Sequence, residues 1–256
     1  MVKVSLILTT YNCAKNLKRT LESIEGQDYP DIEVVIKDGG STDGTVDVIR
    51  DYAEHSRYPV QWVSEKDEGI YDAMNKGFPL STGEIVGFFN DRFCRRDAVS
   101  RIVRAITQSD DGGIYDGVHA DLVYAENGKA VRYWKMGEGT IQQGWMPAHP
   151  TLYLRRSVYE KYGLYDSSYR CSADYEFMVR ILKDKAVRLA YIPDILVEMY
   201  YGGTSSGGIR NYLLSLKEAH RALRENQVKK SIFIDIKRSV RVLKQFRMAK
   251  KVSMDE

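Results

Sequence analysis

Residues 32–55 read IEVVIKDGGSTDGTVDVIRDYAEH. The first seven, IEVVIKD (32–38), are rich in Val and Ile, as a buried strand requires. GGSTDGT then breaks the run, and TVDVIRDYAEH (45–55) resumes at helical spacing, with Ser41 or Asp43 available to cap the helix. A strand that ends in an acid and turns through glycines into a helix is one unit of an α/β sheet. Similar units stand on either side. VSLILTT (4–10) precedes a helix carrying Leu17, Leu21 and Ile24, VQWVSE (60–65) precedes the short helix IYDAMNKGF (70–78), and EIVGFFN (84–90) precedes a helix through SRIVRAITQ (100–108). This order predicts a Rossmann-like α/β fold with a mostly parallel central sheet and helices on both faces. Ligands of such sheets bind beyond the carboxyl ends of the strands. Four polar or Gly-rich loops fall there: Thr9 to Asn12, Asp38 to Ser41, Asp67 to Gly69 and Asn90 to Arg92.

The second half is less regular. DGVHADLVY and AVRYWK flank ENGK, which predicts a hairpin turning at Asn127-Gly128. TLYLRR reads as a strand, SVYEKYG as a helix, and SADYEFMVRILKD (172–184) as an amphipathic helix with a Ser cap. GGTSSGG (202–208) reads as a flexible joint before two final helical segments. The expected organisation is therefore residues 1–208 as one domain and 209–256 as a basic helical extension.

The 256 residues suffice for one large α/β domain with an appendage. Cys13, Cys94 and Cys171 are widely spaced and form no CxxC pair, which disfavours zinc and suits a reducing, cytoplasmic compartment. No stretch approaches the roughly 20 apolar residues of a membrane span. The net charge of +3 is unevenly spread: residues 209–256 hold 13 Lys/Arg against 5 Asp/Glu, and residues 1–208 hold 25 against 30. An acidic body with a basic tail points the tail toward an anionic surface.

The sequence contains no GxxxxGK[ST], no GxGxxG after the first strand and no HExxH. What it does contain is an ordered series: LTTYN (8–12), DGGSTDGT (38–45), DEGIYDAMNKG (67–77), STGEIVGFFND (81–91), HPTLYLRRSVYEKYGLYD (149–166) and SADYEFMVRIL (172–182). Together these resemble the inverting family 2 glycosyltransferases of the GT-A fold, in particular bacterial enzymes that build capsule, O-antigen or exopolysaccharide. The resemblance spans about residues 1–208 and implies a glycosyltransferase domain with a nucleotide-binding half (1–108) and an acceptor and catalytic half (109–208).

The resemblance implies a sugar transfer from a nucleotide-diphosphate sugar, with UDP as the default nucleotide, to a glycan or polyprenyl-diphosphate-linked acceptor. It implies that Thr9, Tyr11 and Asp38 hold the nucleoside, Tyr11 by stacking, with Ser41 beside them. Many relatives carry two successive acids where this chain has Asp38 and Gly39. Asp67 and Asp72 would face the nucleoside, with Asn75 orienting them. Asp174, before an aromatic at the start of a late helix, matches the family's catalytic base, and Glu176 is a weaker candidate. After the fourth strand relatives hold Mn²⁺ or Mg²⁺ with two or more acids; here the element is Asn90-Asp91-Arg92-Phe93, with His149 as a second metal candidate. Either Asp91 holds a metal with help from His149 and the donor phosphates, or Arg92 neutralises the diphosphate without a metal. Two other classes remain open: a nucleotidyltransferase, and a non-catalytic member of a polysaccharide assembly complex.

Residues 229–251 place Ile232, Ile236, Val240, Leu243 and Phe246 at helical spacing, with Lys237, Arg238, Arg241 and Lys244 mostly on the other side. Such a helix either lies on the cytoplasmic membrane face, making the protein peripheral, or packs its stripe on the domain. Nucleic acid is a disfavoured partner, because the body is acidic and the tail lacks interleaved aromatic platforms.

Overall fold

A computed structural model describes residues 1–108, 112–126, 129–200 and 208–249. The first half alternates as the sequence predicts: β1 (Val4–Thr10), α1 (Ala14–Glu25), β2 (Ile32–Asp38), α2 (Thr45–His55), β3 (Val60–Ser64), α3 (Ile70–Gly77), β4 (Ile85–Phe88), β5 (Arg92–Phe93) and α4 (Ala98–Thr107). There follow β6 (Gly117–Glu126), β7 (Lys129–Trp134), β8 (Tyr153–Arg155), α5 (Arg156–Tyr162), α6 (Ala173–Leu182), β9 (Leu189–Tyr200), α7 (Gly208–Glu225) and α8 (Ser231–Ala249). The expected Asn127-Gly128 turn and residues 202–207 of the expected joint lie outside the described residues.

One sheet runs β3-β2-β1-β4-β8-β6-β9-β5, with β7 added on β6. β3, β2, β1 and β4 are mutually parallel, and β6 and β9 are also parallel. β8 joins the two parallel sets through antiparallel pairings to β4 and β6. The two-residue β5 pairs antiparallel with β9, so Arg92 lies opposite Glu198.

Period-2 alternation sorts the core onto two faces. Leu6 and Leu8 of β1 and Val34 and Ile36 of β2 pack with Leu17, Leu21, Ile49 and Ile102 from α1, α2 and α4. Ile7 and Val35 point the other way, into a core with Met74 of α3, Val158 of α5, and Phe177 and Ile181 of α6. Ala219, Ala222 and Leu223 of α7 and Ile234 of α8 belong to this second core. The basic extension is thus anchored by a few small and aliphatic side chains.

β9 is not anticipated from the sequence. Pro193 interrupts its apolar run, and Pro normally argues against a central strand. The sheet accommodates it with register shifts around Asp121, which skip from Ile192 to Ile195 on β9.

Candidate active site

The carboxyl ends of β1, β2 and β3 meet around Asp38, whose side chain is fully buried. Its Oδ1 accepts from the Thr10 hydroxyl at 2.9 Å and the Ser41 hydroxyl at 2.6 Å. Its Oδ2 accepts from Gly40 N–H at 3.0 Å, Ser41 N–H at 2.9 Å and the Ser64 hydroxyl at 2.7 Å. Burial raises the pKa of this carboxyl, but the bonds from Ser41, Ser64 and Thr10 outweigh it and hold the group below its ordinary value. Asp38 therefore ties the three strand ends together, and its lone pairs are engaged within the protein. Ser41 extends the tie by accepting Asn12 N–H at 2.8 Å, while the Asn12 side chain accepts Thr42 N–H at 2.8 Å. Asp43 does the helix capping: its Oδ1 accepts Thr45 N–H at 3.0 Å and its Oδ2 accepts Ala14 N–H at 3.3 Å, serving the first residues of α2 and α1 together.

Tyr11 projects from this hub and is 65% exposed, so its ring is not core packing. Beside it lies Gly39. A Cβ there would stand 2.5 Å from Asp67 Oδ2 and 3.3 Å from the Tyr11 ring. The absence of a side chain at 39 is what lets the Asp67 carboxylate and the Tyr11 ring share one recess. Asp67 Oδ1 accepts Gly69 N–H at 3.0 Å. Asp72 is more committed: it pairs with Lys76 at 2.8 Å and accepts Glu68 N–H at 2.9 Å, and Lys76 first, then Glu68, lowers its pKa. Asn75 does not bond either acid. It clamps the backbone of Tyr165, donating to the carbonyl at 2.8 Å and accepting its N–H at 3.0 Å.

Thr9 and Asn90 lock β1 to the end of β4 through Thr9 N–H to Asn90 Oδ1 at 2.8 Å and Asn90 Nδ2 to Thr9 Oγ1 at 2.9 Å. Asp91 follows, in a small cleft with Arg19, Arg92, Glu198 and Tyr200. Its carboxylate has no hydrogen bond or ion pair among the described residues, and burial alone pushes its pKa up to about 7. Arg92 pairs with Glu198 at 3.2 Å, and Arg19 approaches the same carboxylate at 3.8 Å. Arg19 also lies over the Tyr200 ring at 5.0 Å and donates to its hydroxyl.

Asp174 sits in the first turn of α6, half-buried, and its Oδ1 accepts the Tyr71 hydroxyl at 3.0 Å. Burial, and then the Asp174 carboxylate, raises the Tyr71 pKa, so Tyr71 stays a proton donor. The second Asp174 oxygen has no partner among the described residues. Glu176 points inward: it is buried, pairs with Arg180 at 2.9 Å and accepts Asn226 Nδ2 at 3.0 Å, which ties α6 to the α7–α8 turn.

These loops occupy the strand ends at which α/β sheets bind ligands. The profile of Glycosyl transferase family 2 matches residues 5–166. The chain belongs to this family of glycosyltransferases. It is 29% identical over 211 residues to a PGL/p-HBAD biosynthesis glycosyltransferase of Mycobacterium bovis, covering 79% of this chain and 78% of that one. Among solved structures, S. aureus TarS 1-349 in complex with UDP-GlcNAc aligns with a TM-score of 0.71 at 19% identity, over 98% of this chain and 76% of TarS 1-349. The mannosyltransferase PcManGT of Pyrobaculum calidifontis, in complex with GDP-Man and Mn²⁺, aligns with a TM-score of 0.66 at 20% identity, over 98% and 76%. The fold of this family 2 glycosyltransferase is GT-A.

For a divalent cation, the donor set is sparse. Among the described residues, no three His, Cys, Asp or Glu side chains are grouped to hold a metal. Glu198 is engaged by arginines, and His149 Nε2 is hydrogen-bonded to the Tyr165 hydroxyl at 2.7 Å. Burial lowers the His149 pKa, partly opposed by the Asp174 charge, and the ring lies 6.2 Å from that of Phe88. Asp91 is the one uncommitted carboxylate at the β4 end among the described residues. It fits a cation whose remaining ligands are donor phosphates and water.

Sequence reasoning missed four partners of this glycosyltransferase site: Tyr71, Glu198, Arg19 and Tyr200. Tyr71 stands in the DEGIYDAMNKG segment, one position before Asp72. The other three meet only through the β5–β9 pairing, between residues about a hundred or more positions apart, and no local signal announces it.

Proposed function

We propose that the protein transfers a sugar, with inversion, from a nucleotide-diphosphate sugar to a carbohydrate acceptor in cell-surface glycan synthesis. UDP is the proposed nucleotide, and the acceptor is proposed to be lipid-linked. The observation that carries the chemistry is Asp174, a half-buried carboxylate held through one oxygen by Tyr71, with the other oxygen unpartnered among the described residues. In this reading the free oxygen takes the proton of the acceptor hydroxyl. The acceptor oxygen bonds to the anomeric carbon as the bond to the diphosphate breaks, and the nucleoside diphosphate departs on the opposite face.

The recess of Tyr11, Gly39 and Asp67 is proposed to receive the nucleoside: Tyr11 offers a stacking face and Asp67 an acceptor. Asp38 and Ser41 build the recess, and Thr9 and Asn90 fix the β4 end against it. Asp72, Asn75 and His149 position α3 and the 149–165 wall behind the donor. Asp91 would hold Mn²⁺ or Mg²⁺, which when bound would neutralise charge on the leaving diphosphate. A second reading has support in the same cleft: Arg19 and Arg92 share one carboxylate, so part of their charge is left for the diphosphate without a metal.

The relatives support the surface-glycan reading, since one is named for PGL/p-HBAD biosynthesis. The test is a thermal-shift and donor-hydrolysis screen across UDP-, GDP- and dTDP-sugars, with and without Mn²⁺. The reading expects stabilisation and slow hydrolysis with one nucleotide class. Neither effect with any donor would favour a non-catalytic assembly role.

A further inference from the structure

α8 is mounted with its polar side inward. Asp235 pairs with His220 at 2.7 Å, Gln245 accepts Arg132 Nε at 2.6 Å, and the Arg238 guanidinium lies over the Tyr175 ring at 4.6 Å. The apolar residues on this side are Ile234, buried in the core, and the half-buried Val242. Gly144 fixes the distance of approach: it has φ of +66°, and a Cβ there would stand 2.8 Å from Arg238 N and 3.1 Å from Ile234 O. Most of the apolar residues face out. Ile232, Phe233, Ile236, Val240 and Leu243 are 65%, 65%, 55%, 46% and 67% exposed. Phe233, Ile236, Val240 and Leu243 fall within about a quarter of the helix circumference. A helix that simply packs on a domain does the reverse.

The border of this face is cationic. Lys237, Lys244 and Arg247 are exposed along α8, and Lys229 and Lys230 precede it. Lys183 and Lys185 join Lys229, Lys230 and Lys237 around a cleft of about 1100 Å³ that also includes Phe233. The one acid of α8, Asp235, is on the inward side, in hydrogen-bond contact with His220.

We propose that the outer face of α8 docks on an anionic lipid bilayer, its aliphatic side chains entering the headgroup boundary and its lysines meeting lipid phosphates. An apolar stripe bordered by cations complements an anionic membrane surface. A second protein copy would bring the same cations against themselves. The Arg238–Tyr175 contact places the docked helix against the residue next to Asp174, so docking presents the catalytic helix close to the bilayer.

The test uses the full chain and needs no substrate, so it stands apart from the assignment of the reaction. Sedimentation with vesicles of phosphatidylcholine alone, or mixed with phosphatidylglycerol, is compared for wild type, the triple variant I236E/V240E/L243E and the charge variant K244E/R247E. Wild type is expected to bind the mixed vesicles preferentially, and less so as salt rises. Each basic residue at an anionic surface contributes about fivefold to partition, so K244E/R247E should lose about 25-fold or more. The triple variant should lose about a hundredfold while keeping its thermal midpoint, because all three sites are exposed. The proposal is overturned by equal binding of wild type and triple variant. It is also overturned by a wild-type dimer, in analytical ultracentrifugation, that the triple variant abolishes while neither protein binds vesicles.

Discussion

Replacing Asp38 by Asn separates two roles that the sequence leaves merged, nucleoside contact and internal tie. The carboxylate accepts five hydrogen bonds, and two come from the backbone N–H groups of Gly40 and Ser41, which cannot turn away. The amide will therefore set its oxygen toward those two and Ser64, and its nitrogen toward the Thr10 and Ser41 hydroxyls, which can rotate to accept. All five charge-assisted bonds then become neutral, two of them reversed. Bonds to charged groups contribute about 1.5–3 kcal/mol and neutral ones about 0.5–1.5, so the expected loss is about 5 kcal/mol. Acid sensitivity should change as well. The Asp38 pKa is depressed below 3.8, so its stabilisation is complete above that value and fades as pH falls through the depressed folded value. D38N removes that part of the acid transition. Urea unfolding at neutral pH and at about pH 3, with nucleotide titration alongside, measures both. A D38N protein of unchanged stability that has lost only nucleotide affinity would refute the internal-tie account.

Tyr71→Phe removes the hydrogen bond that the Asp174 carboxylate accepts from the Tyr71 hydroxyl. Transfer should fall about tenfold to a hundredfold with donor KM unchanged, and steady-state kinetics will show it. Gly144→Ala places a methyl against the backbone of α8 at a left-handed φ, at a cost of about 2–5 kcal/mol, seen as a lower unfolding midpoint or earlier proteolysis of α8. Asp91 has its pKa raised from 3.8 to about 7, so without ligands the apo protein should lose stability as pH rises across that interval, and D91N should abolish the trend. Mn²⁺ affinity should rise over the upper part of the same interval, as the carboxylate ionises, and calorimetry at a series of pH values checks this.

The first four strands were legible because each is a short apolar run that ends near a polar or Gly-rich loop, and their loops were legible because a parallel sheet gathers its strand ends. The residues in those loops were named, but not what each one touches. Asp38 reads as a nucleoside acceptor until its five donors from three strand ends are seen together. Gly39 reads as a missing acid until Asp67, 28 residues on, is found beside it. β5 is two residues long, too short for any periodicity, and β9 is broken by Pro193, so the Arg92–Glu198 pair had no visible basis in the sequence. The amphipathic stripe of α8 was plain, yet its direction was not, because periodicity gives the face and only packing partners say which side is inward.

The central claim is that Asp174 takes the acceptor proton. Asp174→Asn keeps an oxygen for the Tyr71 hydroxyl and the shape of the α6 terminus, while removing the base. Single-turnover transfer, measured beside nucleotide-induced thermal shift on the same preparation, tests it directly. The account predicts a shift equal to wild type and a rate lower by about a hundredfold or more. Near-normal turnover in that variant would contradict it and move the base elsewhere in the cleft.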